Sequence, residues 1–161
     1  MKFLKYAFPL MLVLLFALAV AACAQQPTVT TPAASGGTPT ATNSSQALIK
    51  TATATVKGAS KTILTNAQGL TLYYRTSDKP PSTVCSGSCA GAWPPLLFTG
   101  SGTPTSSTQL PGKLTAVMDA NGNQVEYNGH PLYTFASDTA PGQTNGEGVG
   151  GIWFVATPDL H

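Results

Sequence analysis

From residue 48 onward, apolar and polar positions alternate in short runs broken by glycine, asparagine and proline. A period of two predicts strands. No stretch there repeats apolar residues every three to four positions between capping signals, as a helix requires. Asn128-Gly129 marks a tight turn, because both residues tolerate the positive φ of favoured hairpin turns. Gln124–Tyr127 and Pro131–Phe135 flank it as a hairpin. Gln68-Gly69 stands in the same place between Thr62–Asn66 and Leu70–Arg75, and Asn121-Gly122 marks another turn. Leu114–Met118 and Ile152–Thr157 are further strands, rich in Val, Ile, Trp and Phe. Thr53–Lys57 has the strand period but little apolar bulk. The pattern predicts an all-β, compact, sandwich-like domain over residues 48–161.

That domain carries an internal duplication. Gly69–Asp78 lies over Gly129–Asp138 at an offset of 60, and the same offset pairs Pro81 with Pro141, Gly91 with Gly151 and Trp93 with Trp153. The first repeat spans about 60–98 and the second about 120–158. Cys85 and Cys89 fall opposite Asn145 and Val149, so only the first copy has cysteines. Two repeats are too few for a solenoid and are expected to pack on each other as one unit.

Composition adds a location. Lys2 and Lys5 precede an uncharged apolar stretch, Tyr6–Ala19, followed by Val20-Ala21-Ala22-Cys23. Residues 1–22 read as a signal peptide, and the small residues before Cys23 resemble a bacterial lipobox, with lipid attached to that cysteine. An uncleaved membrane helix is the alternative; both leave the remainder outside the cytoplasm. Residues 23–47 are nearly all Ala, Gln, Pro, Thr, Ser, Gly and Asn. They cannot bury enough apolar surface to fold and predict a flexible linker with a reach of roughly 25–30 Å. Charged residues make up only 9% of the chain. Once Lys2 and Lys5 are set aside, six basic residues face six acidic ones. A neutral chain without a basic run excludes nucleic acid as a partner.

The candidate chemistry is sparse. With Cys23 lipidated, Cys85 and Cys89 remain as a pair that is oxidised outside the cytoplasm, closing a five-residue loop. The alternatives are a labile redox pair or a copper site completed by His130 or Met118. Tyr73…Asp78 and Tyr133…Asp138 are either ligands with stacking platforms or architecture. Their occurrence twice in one chain favours architecture, with each Asp bonding the backbone of the loop that follows it. Trp93 and Trp153 read as core or inter-repeat anchors, with a carbohydrate-stacking face as the alternative. Asp119–Asn123 lacks the later glutamate of a calcium loop and reads as a hairpin turn. No Ser/His/Asp set or carboxylate pair assembles, which points away from an enzyme.

The two Tyr-x4-Asp units, the Cys-x3-Cys-Ala segment leading to Trp93-Pro94-Pro95, and Tyr127-x-Gly129-x-Pro131-Leu132-Tyr133 resemble bacterial lipoproteins described as a secreted tandem repeat of unknown function. Tyr133, Phe135 and Asp138 match the fuller Tyr-x-[Phe/Trp/Tyr]-x-x-Asp form, whereas copy one places Arg75 in the aromatic slot. The resemblance covers about residues 62–158. It implies lipid anchoring and a duplicated domain, and brings no activity or ligand. The expectation is a lipid-anchored extracytoplasmic protein without a cofactor, held at the membrane by Cys23. Its role is binding or envelope-structural, with an envelope protein or glycan as partner. Binding predicts an exposed aromatic or tyrosine cluster at the repeat junction. The alternative is an envelope redox or copper-handling protein built on Cys85 and Cys89.

Overall fold

The computed structural model describes residues 47–79 and 82–161. The expected signal peptide, Cys23 and nearly all of the linker lie outside the described residues, as does Pro81.

Among the described residues the regular elements are mostly strands, in small antiparallel sheets. β1 (Ile49–Val56) pairs with β2 (Ala59–Asn66), β3 (Tyr73–Arg75) with β7 (Trp153–Val155), and β4 (Leu114–Asp119) with β5 (Gly122–Tyr127), which also pairs with β6 (His130–Pro131). The turn between β5 and β6 is the expected Asn128-Gly129, with φ of 50° and 80°. Asp119 Oδ1 accepts the Asn121 N–H at 2.7 Å in the β4–β5 turn, so Asp119–Asn123 is a hairpin connection.

Two elements differ from the sequence expectation. β1 is a full strand from Ile49, in register with β2 along its whole length. Its Thr-Ala alternation hides it from apolar patterning. The turn that closes it puts Lys57 at φ 49° beside Gly58 at φ 78°, a conformation usually signalled by Asn or Asp. The second is a short helix, α1 (Ser88–Ala92), entered at Gly87 with φ 57°. Five residues are too few to show a helical period.

Two buried clusters, each drawn from both repeats, form the core. One gathers Val56, Ile63, Tyr73, Trp93, Tyr133 and Trp153, and the other Ile49, Leu64, Leu72, Val125, Tyr127 and Leu132.

The last strand segment of each repeat crosses to the other. Ala156 donates to the Leu72 carbonyl at 2.8 Å and accepts from Leu64 N–H at 2.8 Å, while Leu72 donates to Leu64 at 2.9 Å. In the other half Leu96 donates to Leu132 at 2.9 Å, Val125 donates to Leu96 at 2.8 Å, and Leu132 donates to Val125 at 2.9 Å. Each ring of three backbone bonds thus needs two segments from one repeat and one from its neighbour. A free strand edge carries unpaired backbone groups, so each repeat completes the other.

Candidate functional site

The tyrosines, aspartates and tryptophans that recur in the two copies meet at one place, the junction of the repeats. Tyr73 and Tyr133 face each other as an antiparallel pair, exchanging backbone bonds of 2.8 and 2.9 Å. Both side chains are fully buried. Their hydroxyls do not bond the aspartate of their own copy. Tyr73 Oη donates to Asp138 Oδ2 at 2.6 Å, and Tyr133 Oη donates to Asp78 Oδ2 at 2.6 Å. The motif is therefore exchanged between repeats, tyrosine of one to aspartate of the other.

The second oxygen of each carboxylate holds its own loop. Asp78 Oδ1 accepts the Val84 N–H, and Asp138 Oδ1 accepts the Asn145 N–H, each at 3.0 Å. Tyr133 Oη also meets Thr83 Oγ1, and Tyr73 Oη accepts the Gly146 N–H at 3.2 Å. Burial pushes both phenols far above the ordinary tyrosine range, and the adjacent carboxylates, Asp138 for Tyr73 and Asp78 for Tyr133, push the same way. Both phenols stay protonated and act as donors.

Beside these pairs lies an aromatic stack. Trp93 and Trp153 are parallel, 3.9 Å apart at 4°. Phe135 covers the free face of Trp93 at 4.3 Å, and the Arg75 guanidinium lies 6.0 Å from the Trp153 ring. Phe135 and Arg75 are equivalent positions of the two copies. Arg75 therefore does what the motif's aromatic does, capping a tryptophan face through a cation–π contact. Its Nη1 also sits 3.7 Å from Asp78 Oδ1, an ion pair too long for a hydrogen bond.

This geometry corrects two expectations. A carbohydrate-stacking face needs an open indole, yet Trp93 is 5% and Trp153 4% exposed. Among the described residues the exposed aromatic cluster that binding at the junction predicts is not found: Tyr73, Tyr133 and both tryptophans are core.

Cys85 and Cys89 are joined in a disulfide, with Cys85 buried and Cys89 packed against the same core. The bridge closes onto α1, where Trp93 N–H donates to the Cys89 carbonyl at 2.9 Å. It thereby fixes the turn that delivers Trp93 to the stack. Copy two delivers Trp153 from a 3₁₀ turn (Val149–Gly151) entered at Gly148, and Gly148, Gly150 and Gly151 all have positive φ. His130 lies edge-on to Tyr74 at 5.1 Å, and Met118 is 72% exposed on β4. Among the described residues, no three His, Cys, Asp or Glu side chains gather where a metal ion could sit.

One buried amide carries no signal in the sequence. Gln124 is fully buried on β5, with Nε2 donating to the Leu132 carbonyl and Oε1 accepting from Asn121 Nδ2, both at 3.0 Å. A glutamine at an apolar register position gives no composition signal, and only its neighbours reveal it.

The fold and junction define a class: a pair of β-rich repeats locked by an exchanged Tyr–Asp motif. A family model described as a secreted repeat of unknown function matches residues 54–97 and again 115–157, and the chain belongs to that family. Each match runs from β1 or β4 to the segment that crosses into the other half. No curated protein and no solved structure matches the chain.

Proposed function

We propose that the protein is a lipid-anchored, non-enzymatic domain of the bacterial cell envelope, tethered through Cys23 and acting by binding or structural support. The observation that supports this reading is the use made of the repeat motif. Its tyrosines, aspartates and tryptophans are spent on one another inside the junction. Groups so engaged hold a scaffold together and offer no reacting atom to a substrate. An envelope protein or glycan is then met by faces other than the junction. The reading assigns no cofactor, and gives the Cys85–Cys89 bridge the task of holding α1 and Trp93.

Fractionation of cells tests the anchor. Cys23→Ala should abolish fatty-acid labelling and release the chain from membranes; an unlabelled wild-type chain overturns it. Thiol titration tests the rest. The native chain should expose no thiol under mild reductant and take up no copper. Ready reduction with copper uptake would replace this reading by a redox or copper-handling one. A pull-down from intact envelopes, with the anchored chain as bait, identifies the partner.

A further inference from the structure

β4 has one edge covered and one bare. On β5, Val125 N–H donates to Leu96 and the Asn123 carbonyl accepts from Phe98 N–H, so odd-numbered residues face the 96–98 segment and even-numbered ones face β4. In the register that pairs Ala116 with Val125 and Asp119 with Gly122, the β4 residues bonding β5 are Thr115, Val117 and Asp119. Leu114, Ala116 and Met118 therefore turn their N–H and C=O groups away from β5. Among the described residues nothing bonds those groups. The corresponding strand of the first repeat is treated differently. The Ile49 N–H and C=O of β1 bond Thr105 and Ser107, and Thr144 Oγ1 donates to the Thr55 carbonyl.

Bare edges are normally blunted by a charge, a proline or a bulge. Leu114-Thr115-Ala116-Val117-Met118 has none of these, and Met118 stands exposed beside it. We propose that β4 pairs antiparallel with β4 of a second copy of this chain, about a twofold axis at Ala116. The chemistry of the strand selects that partner and that register. Setting Ala116 against Ala116 and Leu114 against Met118 engages every outward-facing backbone group. A slip by one pleat leaves an end residue unmatched. The same register sets Lys113 opposite Asp119 at both ends, as a closely approaching pair of opposite charge. Neither residue is in an ion pair within the described residues. The pairing is independent of the lipid anchor, and either can fail without the other.

The test uses the full lipidated chain in mild detergent, and the same chain in cells with a photo-reactive benzophenone residue in place of Met118. Irradiation should give an adduct of twice the chain mass. Ala116→Pro should abolish it, because the lost N–H points outward and the β4–β5 ladder keeps its bonds, so the far-UV spectrum and melting temperature should hold. Lys113→Glu should weaken self-association on the order of tenfold, like charges then facing each other, and Lys113→Glu with Asp119→Lys should restore it. Should Ala116→Pro not fold, the charge pair and its rescue decide. A monomer in sedimentation at the highest attainable concentration, an adduct to a different protein, or a dimer indifferent to Lys113→Glu overturns the proposal.

Discussion

Asp78 and Asp138 each serve two masters, a loop of their own copy and a tyrosine of the other. Removing the tyrosine hydroxyl leaves a buried carboxylate short of a charge-assisted bond, which costs about 1.5–3 kcal/mol. Tyr73→Phe and Tyr133→Phe should each lower the unfolding free energy obtained from urea titration by that amount, to similar extents because their settings are equivalent. Raised phenol pKa values also set an alkaline limit. These two groups bind their protons more tightly folded than unfolded, so their contribution is complete below the ordinary tyrosine pKa of about 10 and is lost as pH rises past it. Titration followed by tyrosinate absorbance should show Tyr73 and Tyr133 ionising only as the chain unfolds. Arg75→Phe should be tolerated, since it places on Trp153 the same cap that Phe135 gives Trp93; a melting temperature lowered by more than a few degrees would contradict that equivalence. At this scale the sequence announced which residues matter, through their repetition. It could not announce the exchange between copies, because a tyrosine five positions before an aspartate looks like a local pair.

The disulfide and the glycine-rich 3₁₀ turn are two solutions to one task, presenting a tryptophan to the stack. Loop closure over five residues contributes about 2 kcal/mol in the chain-entropy treatment. Cys85→Ser with Cys89→Ser should accordingly lower the melting temperature by roughly 4–12 °C, with the loss centred on α1 in hydrogen exchange. Glu126 gives the β4–β5 hairpin an acid dependence. Burial raises its pKa, partly offset by the Thr115 hydroxyl. The folded state then holds this proton more tightly than the unfolded state, so stability falls as pH climbs from the ordinary carboxylate value toward neutrality. Glu126→Gln should flatten that slope in thermal melts between pH 4 and 7. Hairpins at Gln68-Gly69, Asn121-Gly122 and Asn128-Gly129 were legible because turn chemistry is local. The Lys57-Gly58 turn was not, since lysine reaches positive φ only where the paired strands impose it.

Across the whole molecule, duplication was legible but its register was only partly so. The offset of 60 holds from Gly69 to Trp153, whereas the first hairpin strands are equivalent at Leu64 and Val125, one residue further apart. The extra residue sits in the first turn, where Asn66 Oδ1 accepts from both Gln68 and Leu70 N–H. Strand exchange predicts that neither repeat folds alone. A chain ending before Trp153 should give poor amide dispersion and rapid proteolysis, and residues 47–110 and 111–161 produced together should recover the folded spectrum.

That dependence bears on passage across a membrane. A secreted chain emerging N-terminus first leaves Leu64 and Leu72 waiting for Ala156. Its first half stays open until Ala156 has been threaded through. Premature compaction, which would stall the export channel, is averted by the order in which the pieces arrive.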